Sequence, residues 1–151
     1  MAISTYWADA YLEKRCSAAE AVRRIRSGQR IFIGSACAQP QELVRALSGA
    51  VPRLSGLEIV RLLSTETTPL SALADQTQDF ALNLRTIYLG SANSELIARH
   101  QRFITPMNMS EVPDLFISKK MPIHAALIQV SPPDDFGWMS LGISVDVTLA
   151  A

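Results

Sequence analysis

The chain has 151 residues, 48% hydrophobic and 19% charged, enough for one domain with a buried core and too apolar for a disordered chain. Fourteen basic and fourteen acidic residues cancel, and no basic run stands out, so the electrostatic footprint of a nucleic-acid binder is missing. The start, "MAISTYWADAYLEKRC", is not a secretory signal, and no apolar run approaches the ~20 residues that span a bilayer. The expectation is a cytoplasmic protein without a membrane segment.

Prolines and glycines are scattered, with no linker and no repeat, so residues 1–151 read as one domain. Cys16 and Cys37 lack a CxxC spacing. They read as reduced thiols rather than as zinc ligands or a disulfide.

In chain order, "SAAEAVRRIRSG" predicts a helix. Ser17 and Glu20 form a capping box, Ala18, Ala21, Val22 and Ile25 recur at helical spacing, and Gly28 is the stop. "RIFIG" (30–34) is a short buried strand. The small-residue loop "SACAQP" follows, and Pro40 suits the first position of a helix over 40–50. Leu43, Val44 and Leu47 share its buried face, and Gly49 and Pro52 help to end it.

"LEIVRLL" (57–63) is a second strand, closed by "STETTP". A short helix is expected at 72–76, a third strand at 85–90 and a helix at 91–101. "RFIT" is extended, Ser110 caps "EVPDLFISK" with Pro113 in its first turn, and "HAALIQVS" (124–131) is the last strong strand. Apolar strands alternating with helices predict an α/β fold, an open and mostly parallel sheet with helices on both faces. Ligands gather at the carboxyl ends of such strands.

The loops after Ile33, Leu63, Leu89 and Val130 are therefore informative. "GSACAQP" fits either a tight strand-to-helix turn or an anion or oxyanion cradle at a helix start. It matches neither a P-loop nor a dinucleotide fingerprint. Cys37 near a helix start invites a nucleophile reading, yet neither histidine is placed beside it by a motif. His124 opens a strand at the end away from ligands, which makes it structural, and His100 reads as a solvated helix end. Glu66 in "STETTP" is a candidate base in a loop whose hydroxyls also serve turns.

The loop "SPPDDFGWMSLG" is the most unusual. Two prolines fix φ, Gly137 and Gly142 permit positive φ, and Asp134 and Asp135 can bond turn N–H groups. Paired aspartates also invite a metal or acid–base reading, but turn formation fits them better. Trp138 is either a lid or a cover for the domain.

"CSAAEAVRRIRSGQRIFIGSACAQPQELVRAL", then "EVPDLF" and "ALIQVSPPDDFGWMSLGISVD", resembles the amino-terminal half of the acetyl-CoA hydrolase/transferase family, from about residue 11 to 151. That family includes the 4-hydroxybutyrate, butyrate, acetate and succinate CoA-transferases. The resemblance implies an open α/β domain of the CoA-transferase type, an architecture broadly shared with sugar-phosphate isomerases. The phosphate-loop constellation of those isomerases is not found. The resemblance further implies an enzyme that moves CoA between carboxylic acids through a glutamyl-CoA thioester.

The family's nucleophilic glutamate lies in the carboxyl-terminal half, which is expected to be absent here, so no catalytic residue is assigned and the isolated chain is expected to be inactive. Glu66, Glu95 and Glu111 do not match its context. The matching positions are Gly34, Ser35 and Pro40 in the first loop, and Gln129, Ser131, Pro132, Pro133, Asp134, Gly137, Ser140 and Gly142 in the second. Their implied role is to shape the acyl or carboxylate pocket and the domain contact.

Ala38 and Gln39 stand where the family often has glycine and glutamate, which removes a charge near the substrate. Coenzyme A and acyl-CoA are implied as substrates, with no covalent cofactor and no metal. Implied partners are a short-chain carboxylate and the carboxyl-terminal half or a separate chain supplying it. A homo-oligomer is expected. The rival reading, prompted by the stop at Ala151, is a non-catalytic binding or assembly module.

Overall fold

The computed structural model describes residues 6–62, 82–87 and 102–151, with backbone alone at 102–104. Five strands form one sheet: β1 (Arg30–Ile33), β2 (Leu57–Arg61), β3 (Leu82–Thr86), β4 (Arg102–Ile104) and β5 (Ala125–Leu127). Their order is β4-β3-β2-β1-β5, and each neighbouring pair is parallel. Helices α1 (Trp7–Lys14), α2 (Ala18–Arg23), α3 (Gln41–Ala50) and α4 (Val112–Ile117), with 3-10 turns at Ala36–Ala38, Val51–Arg53 and Met109–Glu111, complete the described elements. The expected α/β class with a parallel sheet is what forms.

Alternation along the strands builds two cores. Ile31 and Ile33 of β1, Leu57 and Ile59 of β2 and Leu82 and Leu84 of β3 pack against Val22 of α2 and Val44 and Leu47 of α3. On the opposite face Phe32, Val60 and Leu62 meet Val112 and Phe116 of α4 and, from the last turn, Val147. The Phe32 and Phe116 rings meet edge-on at 5.9 Å. Across the first three strands, Glu58 of β2 joins Arg30 of β1 and Arg85 of β3 in a half-buried ion-pair ladder.

Several boundaries differ from expectation. The Ser17–Glu20 capping box is present, but α2 ends at Arg23. Ile25 must reach the core, and Gly28 at φ +76° serves a separate turn bonded to the Ser55 carbonyl. Pro40 is the residue before α3 rather than its first. Gly49 lies inside α3, and Pro52 sits in the 3-10 turn that follows. Strand β3 begins at Leu82, because Leu82 and Leu84 stand opposite Leu57 and Ile59 on the buried face.

The cap before α4 is Asn108, boxed with Glu111, rather than Ser110. β5 is three residues long instead of the expected eight. It pairs with β1 alone, and the chain of β1 leaves the sheet at Gly34. The expected helices at 72–76 and 91–101, the "STETTP" loop with Glu66, and His100 lie outside the described residues.

Candidate functional site

The strand order reverses at β1. β2 lies on one side of it and β5 on the other. The loops leaving β1 and β5 therefore diverge at the carboxyl edge, the place where open α/β sheets bind ligands. A cleft of about 310 Å³ opens there. Cys37 and Ala38 line it from the first loop; Gln129, Val130 and Ser131 line it from the exit of β5. Ser140, Leu141, Gly142 and Ile143 close the far wall. A second cleft of similar volume lies beside it, between Ile128–Val130 and the start of α3 at Pro40, Gln41, Glu42 and Leu43.

The first loop is folded tightly. The Gly34 N–H donates to the Leu127 carbonyl at 2.9 Å, tying the exit of β1 to β5. A Cβ on Gly34 would stand 2.9 Å from the Ala38 carbonyl oxygen, so only glycine fits there. A 3-10 turn over Ala36–Ala38 follows, with Ala36 held at φ +47°. A left-handed alanine costs about 1–2 kcal/mol, which the surrounding packing must offset. Ser35 and Gln39 turn inward and are buried, while Cys37 is exposed at the cleft. The Ser35 hydroxyl has no hydrogen-bond partner among the described residues. Glu42 already occupies the first turn of α3 and pairs with Arg45. That charge makes this helix start a poor anion cradle.

The second loop is a short hairpin. Ser131 N–H donates to the Ser140 carbonyl, and the Ser140 N–H returns to Ser131 Oγ, both at 2.9 Å. Asp134 N–H donates to the Trp138 carbonyl at 2.9 Å and Gly137 N–H to the Asp134 carbonyl at 3.0 Å. This is a three-residue loop with glycine in the left-handed position, Gly137 at φ +85°. Asp134 Oδ1 accepts the N–H groups of Phe136 and Trp138 at 2.9 and 2.8 Å. The carboxylate is thus spent on the turn. Gly142, at φ +73°, bonds to Ser140 Oγ.

Of the residues matched from sequence, Gln129, Ser131, Ser140 and Gly142 line the first cleft. Pro40 and Gln129 line the second. Gly34 and Ser35 are buried in the loop that carries Cys37 and Ala38. Pro132, Pro133, Asp134 and Gly137 belong to the hairpin beyond the cleft wall. Val130, Leu141 and Ile143 were not singled out from sequence, Cys37 was weighed only as a nucleophile, and Ala38 was named only as a departure from the family's first loop. Their position beside matched residues in "GSACAQP" and "QVS…SLGI" is the signal that could have found them. His124 is structural, as expected: its Nδ1 accepts the Arg30 N–H and its own N–H donates to the Arg30 carbonyl, both at 2.9 Å.

No charged side chain lines the first cleft among the described residues. It offers hydroxyls, one amide and apolar walls. Such a lining suits a neutral acyl group, because tight carboxylate or phosphate recognition calls for Arg or Lys.

Comparison with known proteins bears on the same residues. Positions 4–151 match the acetyl-CoA hydrolase/transferase N-terminal domain. The chain belongs to that family. The acetyl-CoA hydrolase/transferase chain is 33% identical over 145 residues to 4-hydroxybutyrate coenzyme A transferase of Clostridium kluyveri, covering 96% of this chain and 33% of that protein. It is 32% identical over 127 residues to succinyl-CoA:acetate/propanoyl-CoA:succinate CoA transferase of Fasciola hepatica, covering 84% of this chain and 26% of the relative.

Among solved structures, 4-hydroxybutyrate CoA-transferase of Porphyromonas gingivalis superposes with a TM-score of 0.72 at 25% identity, over 96% of this chain and 32% of that one. RipA of Yersinia pestis shares the fold, with a TM-score of 0.78 at 24% identity over 89% of this chain and 33% of RipA. The chain thus spans about a quarter to a third of the length of the curated relatives it matches. No described helix of this family member is long and apolar enough to cross a membrane.

Proposed function

We propose that the chain is the amino-terminal domain of a CoA-transferase or acyl-CoA hydrolase acting on short-chain carboxylic acids. The observation that carries this reading is the uncharged cleft at the β1/β5 switch point, lined by Gln129, Ser131, Ser140 and Gly142. In this reading the cleft is one wall of the acyl pocket. Pro132, Pro133, Asp134 and Gly137 shape the hairpin behind it, and Gly34, Ser35 and Pro40 shape the loop opposite.

The reaction runs through a glutamate supplied from outside this chain. Its carboxylate oxygen attacks the thioester carbonyl and CoA leaves as thiolate, giving a mixed anhydride. The thiolate then attacks the glutamyl carbonyl and the first carboxylate leaves, giving glutamyl-CoA. An incoming carboxylate, or water in a hydrolase, takes the next step. Four of the five described glutamates are committed elsewhere, which supports an external nucleophile. Glu20 and Glu111 close capping boxes, Glu42 pairs with Arg45, and Glu58 pairs with two arginines.

Coenzyme A is a substrate here and no bound cofactor is required. The remaining enzyme, in the same polypeptide or a partner chain, completes the site within a cytoplasmic homo-oligomer. The test is turnover of acetyl-CoA with a short carboxylate by the 151 residues alone. No turnover is expected, and robust turnover overturns the placement of the nucleophile.

A second reading, a binding or assembly module without catalysis, has its own observation. Phe136, Trp138, Ile143 and Leu149 are 76–89% exposed on one continuous stretch of chain. Sedimentation of the chain against its Ile143→Ser variant tests it. A self-associating chain that the substitution makes monomeric favours this reading, and an unchanged monomer counts against self-assembly.

A further inference from the structure

Helix α1 has no buried residue. Its half-buried first residue, Trp7, lies over Gly137 in the hairpin. A Cβ built on Gly137 would stand 2.8 Å from Trp7 Cδ2, 3.0 Å from Cγ and 3.2 Å from Cε3. The indole therefore occupies the space a side chain would take, flat against glycine backbone. The hairpin needs such a support. Among the described residues its hydrogen bonds run between its own members, and its tip side chains Phe136 and Trp138 are 80% and 76% exposed. Yet its base supplies Ser131 and Ser140 to the cleft.

We propose that Trp7 is a positioning residue for the cleft, with α1 as a strap whose indole buckles onto Gly137 and fixes the wall formed by Ser131 and Ser140. The contact joins residues 130 positions apart in sequence (137 − 7). Only glycine at 137 satisfies it, both for its positive φ and for the close approach. Whatever occupies the cleft meets a wall whose order depends on a helix that does not line it.

The test is native-state amide exchange on the full 151-residue chain, comparing wild type with Trp7→Ala and Trp7→Phe. Trp7→Ala should speed exchange at Trp138 and Ser140 by roughly tenfold, while Phe32 and Val60 in the sheet stay unchanged. Trp7→Phe keeps an aromatic plane and should restore most of the protection. Gly137→Ala, which strains the positive φ as well as displacing the indole, should lose at least as much protection. Unchanged exchange at Trp138 and Ser140 in Trp7→Ala overturns the proposal. So does an equal acceleration in the sheet, which would make Trp7 a general stabiliser. The readout needs no ligand, so it stands apart from the acyl-pocket assignment.

Discussion

Gly34 donates its N–H to the carbonyl of Leu127 at 2.9 Å, and that bond joins the two loops that flank the switch point. It is the last rung between β1 and β5 before their chains part to form the cleft. Gly34→Ala sets a methyl 2.9 Å from the Ala38 carbonyl oxygen, a backbone atom held by the 3-10 turn. The turn must shift. We expect a loss of about 1–3 kcal/mol in urea unfolding. Wild-type stability in this variant would mean that the loop is looser than described.

Asp134 separates architecture from acid–base chemistry in the second loop. Its Oδ1 accepts two backbone N–H groups of the turn. Asp134→Asn keeps an acceptor and should leave stability within about 0.5 kcal/mol, while Asp134→Ala should lose about 1 kcal/mol. Thermal melts of the two variants read this directly. Equal losses in both would show that the charge, rather than the acceptor, matters.

Glu58 gives the domain an acid limb. Burial pushes its carboxyl up, but hydrogen bonds from Arg85 and Arg30 outweigh that and hold it below the ordinary carboxylate range. Its folded value is therefore below its unfolded one. The stabilisation is complete above the unfolded value, near pH ~4.3, and is lost as pH falls through the folded value. Glu58→Gln should be less stable by about 2 kcal/mol at pH 7 and should lose less on acidification. Parallel acid limbs in wild type and variant would contradict the assignment.

Much of the fold was legible in the sequence for local reasons. Ser17 and Glu20 announce a cap that needs no tertiary context, and "RIFIG" and "LEIVR" are apolar enough to be buried strands anywhere. What failed depended on partners. The end of α2 is set by the need to bury Ile25, and the start of β3 by the facing Leu57 and Ile59. The length of β5 is set by where β1 leaves the sheet.

The site followed the same division. Asp134, Gly137 and Gly142 were readable as turn formers because turn chemistry is local. Cys37 and Ile143 line one cleft because the strand order reverses at β1, and Trp7 meets Gly137 across nearly the whole chain. Spacing carries no sign of such contacts.

The proposed function requires the switch-point cleft to receive the acyl end of an acyl-CoA. The two exposed thiols supply the direct measurement, since Cys37 lines the cleft and Cys16 lies outside its lining. Iodoacetamide alkylation of each cysteine, in the enzyme completed by its carboxyl-terminal half, is followed by mass spectrometry with and without butyryl-CoA. Butyryl-CoA is expected to slow alkylation of Cys37 and to leave Cys16 unchanged. Identical rates at Cys37 with and without saturating butyryl-CoA would contradict the proposed function.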